Sequence, residues 1–336
     1  MADPVFVTGG SGVLGTALVA RLAERGEEVV GLARSDEAAA KLESLGARAV
    51  RGDLFDEGRL TRAMSGARLV YNVAGVNELC PADAAAMYRT NVDGAVAVVR
   101  AASRAGVPRV VHTSSAASLG EATGTVGSEN SPHRGWFLSD YERSKHDGEV
   151  AVLGAGRELG LEVVCVNPSS VQGPGRASGT GRILLALVDG RLKVFVHTNV
   201  SLVDIDDCVR GHLLAAERGT PGERYVLNGI RFSAREALAL ISRVVGVERQ
   251  PRMVRPWAAR AAGVVVEVPF RLAGSRPPLC RQMVRTLLHG HRYDGSRATR
   301  ELGLEYTPPD DTLRRLVRWA VDEGLVKNVP AAAKPS

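Results

Sequence analysis

Apolar and polar positions along this chain of 336 residues alternate in blocks that read as strands and helices in turn. Pro4-Val5-Phe6-Val7 is a short apolar run, and the glycine-bearing Thr8-Gly9-Gly10-Ser11-Gly12-Val13-Leu14-Gly15 follows at once. Ala17 to Ala23 then carries apolar residues at helical spacing, and Glu28 to Ala33 is apolar again. The pattern predicts strand, glycine turn, helix, strand. Arg109 to Ser114 reads as a further buried strand. Up to residue 170 the strands recur about every 30 residues, a spacing that demands right-handed crossovers and therefore a parallel, doubly wound α/β sheet. The expected division is a Rossmann-type cofactor domain of residues 1–170 and 201–228, a discontinuous substrate lobe of 171–200 and 229–325, and a mobile tail of 326–336. Trp257 to Phe270 is unusually apolar and is expected to be a core helix of the lobe. The sharper reading is an amphipathic lid that accepts lipophilic substrates or touches a membrane surface.

The first turn carries chemistry. Gly9, Gly12 and Gly15 stand at G-x-x-G-x-x-G spacing after a strand and before a helix, which lets backbone amides approach a pyrophosphate at the helix N-terminus. Gly9, Ser11, Gly12, Val13, Leu14 and Gly15 are the candidate cofactor residues there. The end of the second strand chooses the cofactor. An acid would favour NAD; Arg34 stands in that place and can meet a 2′-phosphate, so NADP(H) is favoured over NAD(H), with Asp36 and Glu37 close behind. Asp53, beside Leu54, is placed to reach the adenine edge or to cap a helix.

Tyr141 and Lys145 lie four apart, on one face of a helix. A phenol titrates near ~10, and a nearby ammonium stabilises the phenolate and lowers that value. Ser115 falls just beyond a strand end, where open parallel sheets bind ligands, with Ser114 as its rival. Between Ser115 and Tyr141, Leu119 to Leu138 reads as a flexible segment ending in Trp136 and Phe137 that covers the substrate.

Thr8–Gly15, the Gly-Asp-Leu at 52–54, Tyr71–Gly75, His112–Ser115 and Tyr141–Lys145 occur in the order seen in extended short-chain dehydrogenase/reductases. Over residues 4 to 325 the chain is similar to that superfamily, most of all to its dihydroflavonol-reductase-like and 3β-hydroxysteroid-dehydrogenase-like branch. Hopanoid-associated sugar epimerases are close by in resemblance. The resemblance implies Ser115 as the hydroxyl that binds the reacting oxygen, Tyr141 as proton donor or acceptor, and Lys145 as its modulator. It also implies that Ala74, Gly75, Asn91 and Thr113 border the cofactor and that Pro168, Ser169 and Val171 hold the nicotinamide carboxamide. Val76, Trp136, Phe137 and Ser170 are the candidate substrate residues. Asn167 and Gln172 depart from the common R-P-x-x-V-Y-G-P-G, and that departure falls on the substrate pocket.

The implied activity is reduction of a ketone or aldehyde, reversible as oxidation of a secondary alcohol, on a fairly apolar small molecule. A nucleotide-sugar epimerase or dehydratase using the same triad is the first alternative, and an NADP-sensing regulator the second. Family analogy also implies a homodimer built on two helices, Ala84 to Ala105 and Tyr141 to Leu159.

Composition narrows this little. A net charge of +6 suits a phosphorylated cofactor, yet the basic residues are scattered without interleaved aromatics, so no nucleic-acid partner is expected. No apolar run spans a bilayer and none is free to be a leader, so membrane contact is not expected and the location is expected to be cytoplasmic. Cys80, Cys165, Cys208 and Cys280 show no paired spacing, as in a reducing compartment. His112 and His197 are expected to be structural, and no His, Cys or carboxylate group has metal-ligand spacing, so no metal is expected.

Overall fold

The computed structural model describes residues 3–328. Strand β1 (Val5–Thr8) leads through the glycine turn into α1 (Val13–Glu24), and β2 (Val29–Ala33), α2 (Asp36–Ser44), β3 (Arg48–Arg51), α3 (Glu57–Met64) and β4 (Leu69–Asn72) follow. Helix α4 (Ala84–Arg89) passes through a π turn, Thr90–Gly94, into α5 (Ala95–Arg104), and β5 (Arg109–Thr113), α6 (Asp140–Leu159) and β6 (Glu162–Pro168) complete the first part. All four residues of β1 and all five of β2 are buried, as strands covered by helices on both faces must be.

Beyond these come β7 (Ser170–Gln172), α7 (Thr180–Val188), β8 (Val194–Val196), β9 (Asn199–Asp204), α8 (Ile205–Arg218), β10 (Arg224–Leu227), β11 (Ile230–Ser233) and α9 (Ala234–Val245). Then follow β12 (Arg252–Val254), α10 (Pro256–Leu272), α11 (Arg281–His289) and α12 (Pro309–Asp322). The main sheet has seven parallel strands in the order β10-β6-β5-β4-β1-β2-β3. Its order reverses between β1 and β4, where Thr8 stands beside Asn72, and the crevice at that reversal is where such sheets take their ligands. Two small sheets, β11-β9-β7 and β12-β8, belong to the other half of the molecule.

Several expectations change here. Ala298, Leu302 and Leu304, assigned to the lobe, pack in the core of the main sheet, because Arg218 on α8 holds the Leu302 carbonyl at 2.8 Å. Val326 is buried, and the amides of Lys327 and Asn328 both donate to Asp189 Oδ1 at 2.7 Å, so the start of the expected tail is anchored. The remainder of that tail, from residue 329, lies outside the described residues.

The unpaired reading of the cysteines is also corrected. Cys80 and Cys280 form a disulfide across 200 residues, a partnership that only folding creates, while Cys165 and Cys208 are free and buried. The apolar stretch of α10 is not a core helix. It buries only Ala259, Gly263 and Glu267 and turns most of its large apolar side chains outward. Among the described residues no helix is long and apolar enough to cross a membrane.

Candidate active site

The glycine turn is built for close approach. Gly9 has φ +69°, and a Cβ there would lie 2.6 Å from the Ala74 amide nitrogen; one on Gly15 would lie 2.0 Å from the Gly9 carbonyl oxygen. Gly12 is different, since its Cβ would meet nothing but the Gly9 oxygen, at 3.3 Å, and so its outer face is open. It is also the N-cap of α1, with no side chain capping it and no acid in the first turn. The free amides and the helix dipole therefore suit a pyrophosphate, and the residues present fit a dinucleotide. Lys41, which sequence reasoning passed over, reaches from α2 to the Ser11 carbonyl at 3.0 Å and adds a cation beside the turn.

At the end of β2, Arg34 is exposed and makes no ion pair among the described residues. Asp36 and Glu37, which follow it, form the first turn of α2 behind the N-cap Ser35, where acids complement the dipole. Asp36 also faces Arg51 at 3.5 Å, so its charge is opposed by a cation. Asp53 does not cap α3; Asp56 does, because its side chain reaches the Arg59 amide at 2.9 Å. The exposed Asp53 carboxylate instead accepts from the Phe55 amide at 2.9 Å in a local turn. Leu54 is buried against Gly94 in the π turn.

The crevice side of β4 is tied by polar contacts. Thr8 Oγ1 donates to Asn72 Oδ1 at 2.8 Å and accepts from the Ala74 amide at 3.2 Å. Asn72 Nδ2 meets buried His112 at 3.2 Å, and burial holds that imidazole well below its ordinary value and hence neutral. Asn91 is 2% exposed, so its amide must be satisfied from within. Its Oδ1 accepts from the Val76 amide at 2.7 Å, and its Nδ2 donates to Val76 O and to Ser144 Oγ, both at 2.9 Å. The π turn supplies the extra residue that aims Asn91 at this point. Gly75 is small for a reason, since a Cβ would stand 3.2 Å from Asn91 Oδ1 and 3.8 Å from Lys145 Nζ.

Helix α6 brings Tyr141 and Lys145 in. Ser139 caps it by accepting from the Glu142 amide at 3.2 Å, and Tyr141, Ser144, Lys145, Gly148 and Glu149 follow at helical spacing on the inward side. Gly148 allows the helix to close on the Asn91 carbonyl, from which a Cβ would lie 2.4 Å. Lys145 Nζ donates to the Thr113 carbonyl at 2.8 Å, while the Thr113 hydroxyl meets His212 Nε2 at 2.9 Å. His212 Nδ1 donates to Cys208 O at 2.7 Å, and burial lowers that ring to about 4, so it stays neutral and accepts from Thr113.

The electrostatics differ from the expectation. Burial raises the Tyr141 phenol above its ordinary value, with the Ser115 hydroxyl and the Arg176 guanidinium pulling the other way. Burial likewise brings Lys145 down to about 8, opposed by Glu149 and Cys165. The predicted depression of the phenol by the ammonium is therefore overturned: desolvation wins, and the ammonium is engaged by the Thr113 carbonyl.

Ser115 is nearly buried at the start of a single 3₁₀ turn, Ala116–Leu119, where its hydroxyl accepts from the Ala117 amide at 3.2 Å. It is the serine that interacts with the Tyr141 phenol; Ser114 Oγ, equally enclosed, has no partner. Under Ser115 lies a network that the sequence hid. Asn167 Nδ2 donates to the Ser115 carbonyl at 3.2 Å, to Ser118 Oγ at 3.0 Å and to Glu149. Arg224, on neighbouring β10, meets Glu149 at 2.9 Å. Position 167 thus supports the serine from below, and the cation beside Glu149 comes from the adjacent strand.

Ser170, expected to touch substrate, meets Thr180 Oγ1 at 2.6 Å and Gln172 Nε2 at 2.9 Å. Ser169 Oγ is buried without a partner, and the Ser169 amide donates to Leu227 O at 3.0 Å. Phe137 packs with the rings of His133 and His146 at 4.9 and 5.4 Å, and Trp136, half exposed, lies under Arg134 at 4.8 Å. Both aromatics are occupied in holding the loop.

That loop is fastened, not flexible. Gly127 N donates to Arg292 O, and Gly127 O accepts from the Asp294 amide, both at 2.8 Å. Buried Arg134 pairs with Glu142, and Glu121 Oε1 takes His291 Nδ1 at 2.6 Å and His289 Nε2 at 3.1 Å. Those two hydrogen bonds outweigh burial and hold Glu121 at about 2. Among the described residues, Glu121, His289 and His291 are the group with ligand-like proximity, assembled from segments too distant for sequence spacing to show. Its nitrogens are directed at one carboxylate oxygen, which makes it a latch between loop and lobe.

The sequence model of the NAD dependent epimerase/dehydratase family matches residues 5–227. The chain is 32% identical over 333 residues to sterol demethylase protein B of Methylococcus capsulatus, covering 96% of this chain and 99% of that one. It is 30% identical over 329 residues to a 2-alkyl-3-oxoalkanoate reductase of Stenotrophomonas maltophilia, covering 93% and 98%. The crystal structure of gox2253 superposes with a TM-score of 0.84 at 30% identity, covering 97% of this chain and all of that one.

Proposed function

The chain belongs to the NAD dependent epimerase/dehydratase family, as an NAD(P)-dependent oxidoreductase of the extended short-chain dehydrogenase/reductase type, and on that premise we propose that it reduces a ketone on a fairly apolar small molecule. What supports this reading is that the Ser115 hydroxyl bears on the Tyr141 phenol while Lys145, four residues on in the same helix, reaches the Thr113 carbonyl at 2.8 Å at the carboxyl end of β5.

When bound, NADP(H) supplies the hydride that reaches the carbonyl carbon. Ser115 polarises the carbonyl oxygen. The raised phenol of Tyr141 stays protonated at neutral pH, as a proton donor to that oxygen must, and the alcohol forms as the O–H bond of Tyr141 breaks. Lys145, charged below about 8, opposes the negative charge left on the phenolate until solvent returns the proton. Exposed Arg34 supports a preference for the 2′-phosphate of NADP(H).

A nucleotide-sugar epimerase would use the same three side chains and return the cofactor unchanged. Absorbance at 340 nm separates the two. With an alkyl ketone the reductase consumes NADPH stoichiometrically; epimerisation of a nucleotide sugar with no net change in absorbance would refute the reading. Measured dissociation constants tighter for NADH than for NADPH would reverse the cofactor assignment.

A further inference from the structure

Arg176 differs from most of the enclosed arginines; Arg292 shares its lack of an ion pair but donates to the Gly124 carbonyl. Arg134 pairs with Glu142, Arg224 with Glu149, Arg315 with Asp204 and Asp206, and Arg297 with Glu223 and Glu301. Arg176 Nε is buried without a partner, and the side chain makes no ion pair among the described residues. The residue is half-buried and its terminal nitrogens are not enclosed, so an unpaired guanidinium is left open to an anion that arrives. The loop 173–179 is shaped around this side chain. A Cβ on Gly181 would lie 2.8 Å from Arg176 Cγ, and one on Gly179 would lie 3.2 Å from Nη2. The same loop meets the cofactor turn, where a Cβ on Gly175 would lie 3.9 Å from Val13 Cγ1. The guanidinium and the Tyr141 phenol are close enough for each to act on the other's charge.

We propose that Arg176 binds the carboxylate of a 3-oxo acid, or of the 3-hydroxy acid it becomes, while the 3-oxygen sits at Ser115 and Tyr141. This deepens the reductase reading and rests on it. A guanidinium fork matches a carboxylate, and a carboxylate two carbons from the reacting carbon is near enough to span from the phenol to a neighbouring cation. The Stenotrophomonas relative is named for a substrate of this chemistry. A phosphate of the cofactor is the other oxyanion that a guanidinium here recognises, and the test separates the two sources.

Turnover of a 2-alkyl-3-oxoalkanoate and of the methyl ketone lacking its carboxylate is compared in wild type and Arg176→Met. The expected result is a KM for the acid raised roughly 10- to 100-fold, as for a lost hydrogen bond to a charged group, with the methyl ketone and the NADPH dissociation constant unchanged. Arg176→Lys restores part of the loss. Equal losses on both ketones, no loss on either, or a matching rise in the NADPH constant would each overturn the proposal, the last by giving Arg176 to a cofactor phosphate. Calorimetric binding of a 3-hydroxy acid in the presence of NADP+, weakened by Arg176→Met, stands even if no ketone is reduced, so failure of the reductase reading remains distinguishable.

A second inference comes from α10. Trp257, Val264, Val265, Val268 and Leu272 share one helical face and are 65, 43, 71, 45 and 84% exposed. Arg255 and Arg260 are exposed near that face, and Arg271 beside it pairs with Glu267 at 3.7 Å; Glu267, the helix's one acid, is turned inward, where it also takes the amide and Nε of Arg281, both at 2.9 Å. The helix is fixed at the rim of the site, since Arg271 holds Pro81 O at 2.8 Å and the disulfide joins Cys280 to Cys80, a few residues beyond Val76. An apolar stripe edged by cations and lacking outward acids is complementary to an anionic lipid surface; a second copy would bring arginines against arginines. The geometry points to α10 as a membrane-surface docking helix, contrary to the expectation of no membrane contact.

Sedimentation with phosphatidylglycerol-containing vesicles tests this. Wild type is expected to pellet, less so with phosphatidylcholine alone or at high salt. The double variant Val265→Asp/Leu272→Asp should lose at least tenfold in partitioning while its thermal unfolding and NADPH binding stay unchanged. No pelleting of wild type, or equal pelleting of the variant, would overturn it. So would a variant that instead splits a dimer in vesicle-free solution, which assigns the face to a second copy.

Discussion

The glycine turn and the substrate side of this protein solve the problem of exposing reactive groups in opposite ways. On the proposed reading, the ligand around residues 9–15 is met by backbone: amides left free by an uncapped helix and glycines whose missing Cβ atoms make the room. Around Ser115 and Tyr141 it is met by side chains, and each is held by others drawn from far along the chain. Lys145 rests on Thr113, Asn91 on Val76 and Ser144, and Ser115 on Asn167. A backbone site is written in a few consecutive residues. A side-chain site is distributed, and its supports are hydrogen-bond partners that no local pattern marks.

The largest effect that separates the two is expected at Gly15. Gly15→Ala places a methyl against the Gly9 carbonyl, from which it cannot retreat without moving the turn. NADPH affinity, followed by cofactor fluorescence, should fall about 100-fold or more. Retained affinity would mean that the turn tolerates what its geometry forbids.

On the other side, Arg224→Met leaves Glu149 enclosed without its cation, and stability to urea should drop by about 3 kcal/mol. The matched change of a surface pair, Arg243→Met opposite Asp310, should cost under about 1 kcal/mol. Equal costs would remove the distinction between a supporting network and a solvated face.

The smallest effect is in pH. Lys145 is lowered by burial to about 8, so it is charged below that value and neutral above it. Reductase kcat/KM should therefore decline as pH rises through about 8, while NADPH binding at the glycine turn changes less. The stability term has the opposite sense: the unfolded lysine binds its proton up to its ordinary value near 10.5, so between about 8 and 10.5 this group favours folding as pH rises. A flat activity profile across pH 8 would detach Lys145 from the reaction.

These contrasts follow what the sequence could and could not say. The alternation of strands and helices, the glycine turn, and the placing of Ser115 beyond a strand end and of Tyr141 and Lys145 on one helix were legible because periodicity, turn chemistry and i,i+4 spacing are local. Arg224 beneath Ser115, Arg176 beside the phenol and the Cys80–Cys280 bond were not, since each is a contact made by strand order or by lobe packing. The outward turn of α10 was missed for a related reason. An apolar run looks the same in sequence whether it faces a core or water, and only its packing partners decide. The phenol was misjudged because spacing shows a neighbouring charge but not the depth of burial.

The central claim is that Tyr141 passes a proton in a net reduction. Its most direct measurement is NADPH consumption at 340 nm with an alkyl ketone by wild type and Tyr141→Phe, alongside NADPH binding by both. The expected result is loss of turnover by roughly 100-fold or more, in the range of general acid catalysis, with NADPH affinity unchanged. Turnover retained by Tyr141→Phe, or lost only in step with cofactor affinity, would contradict the account.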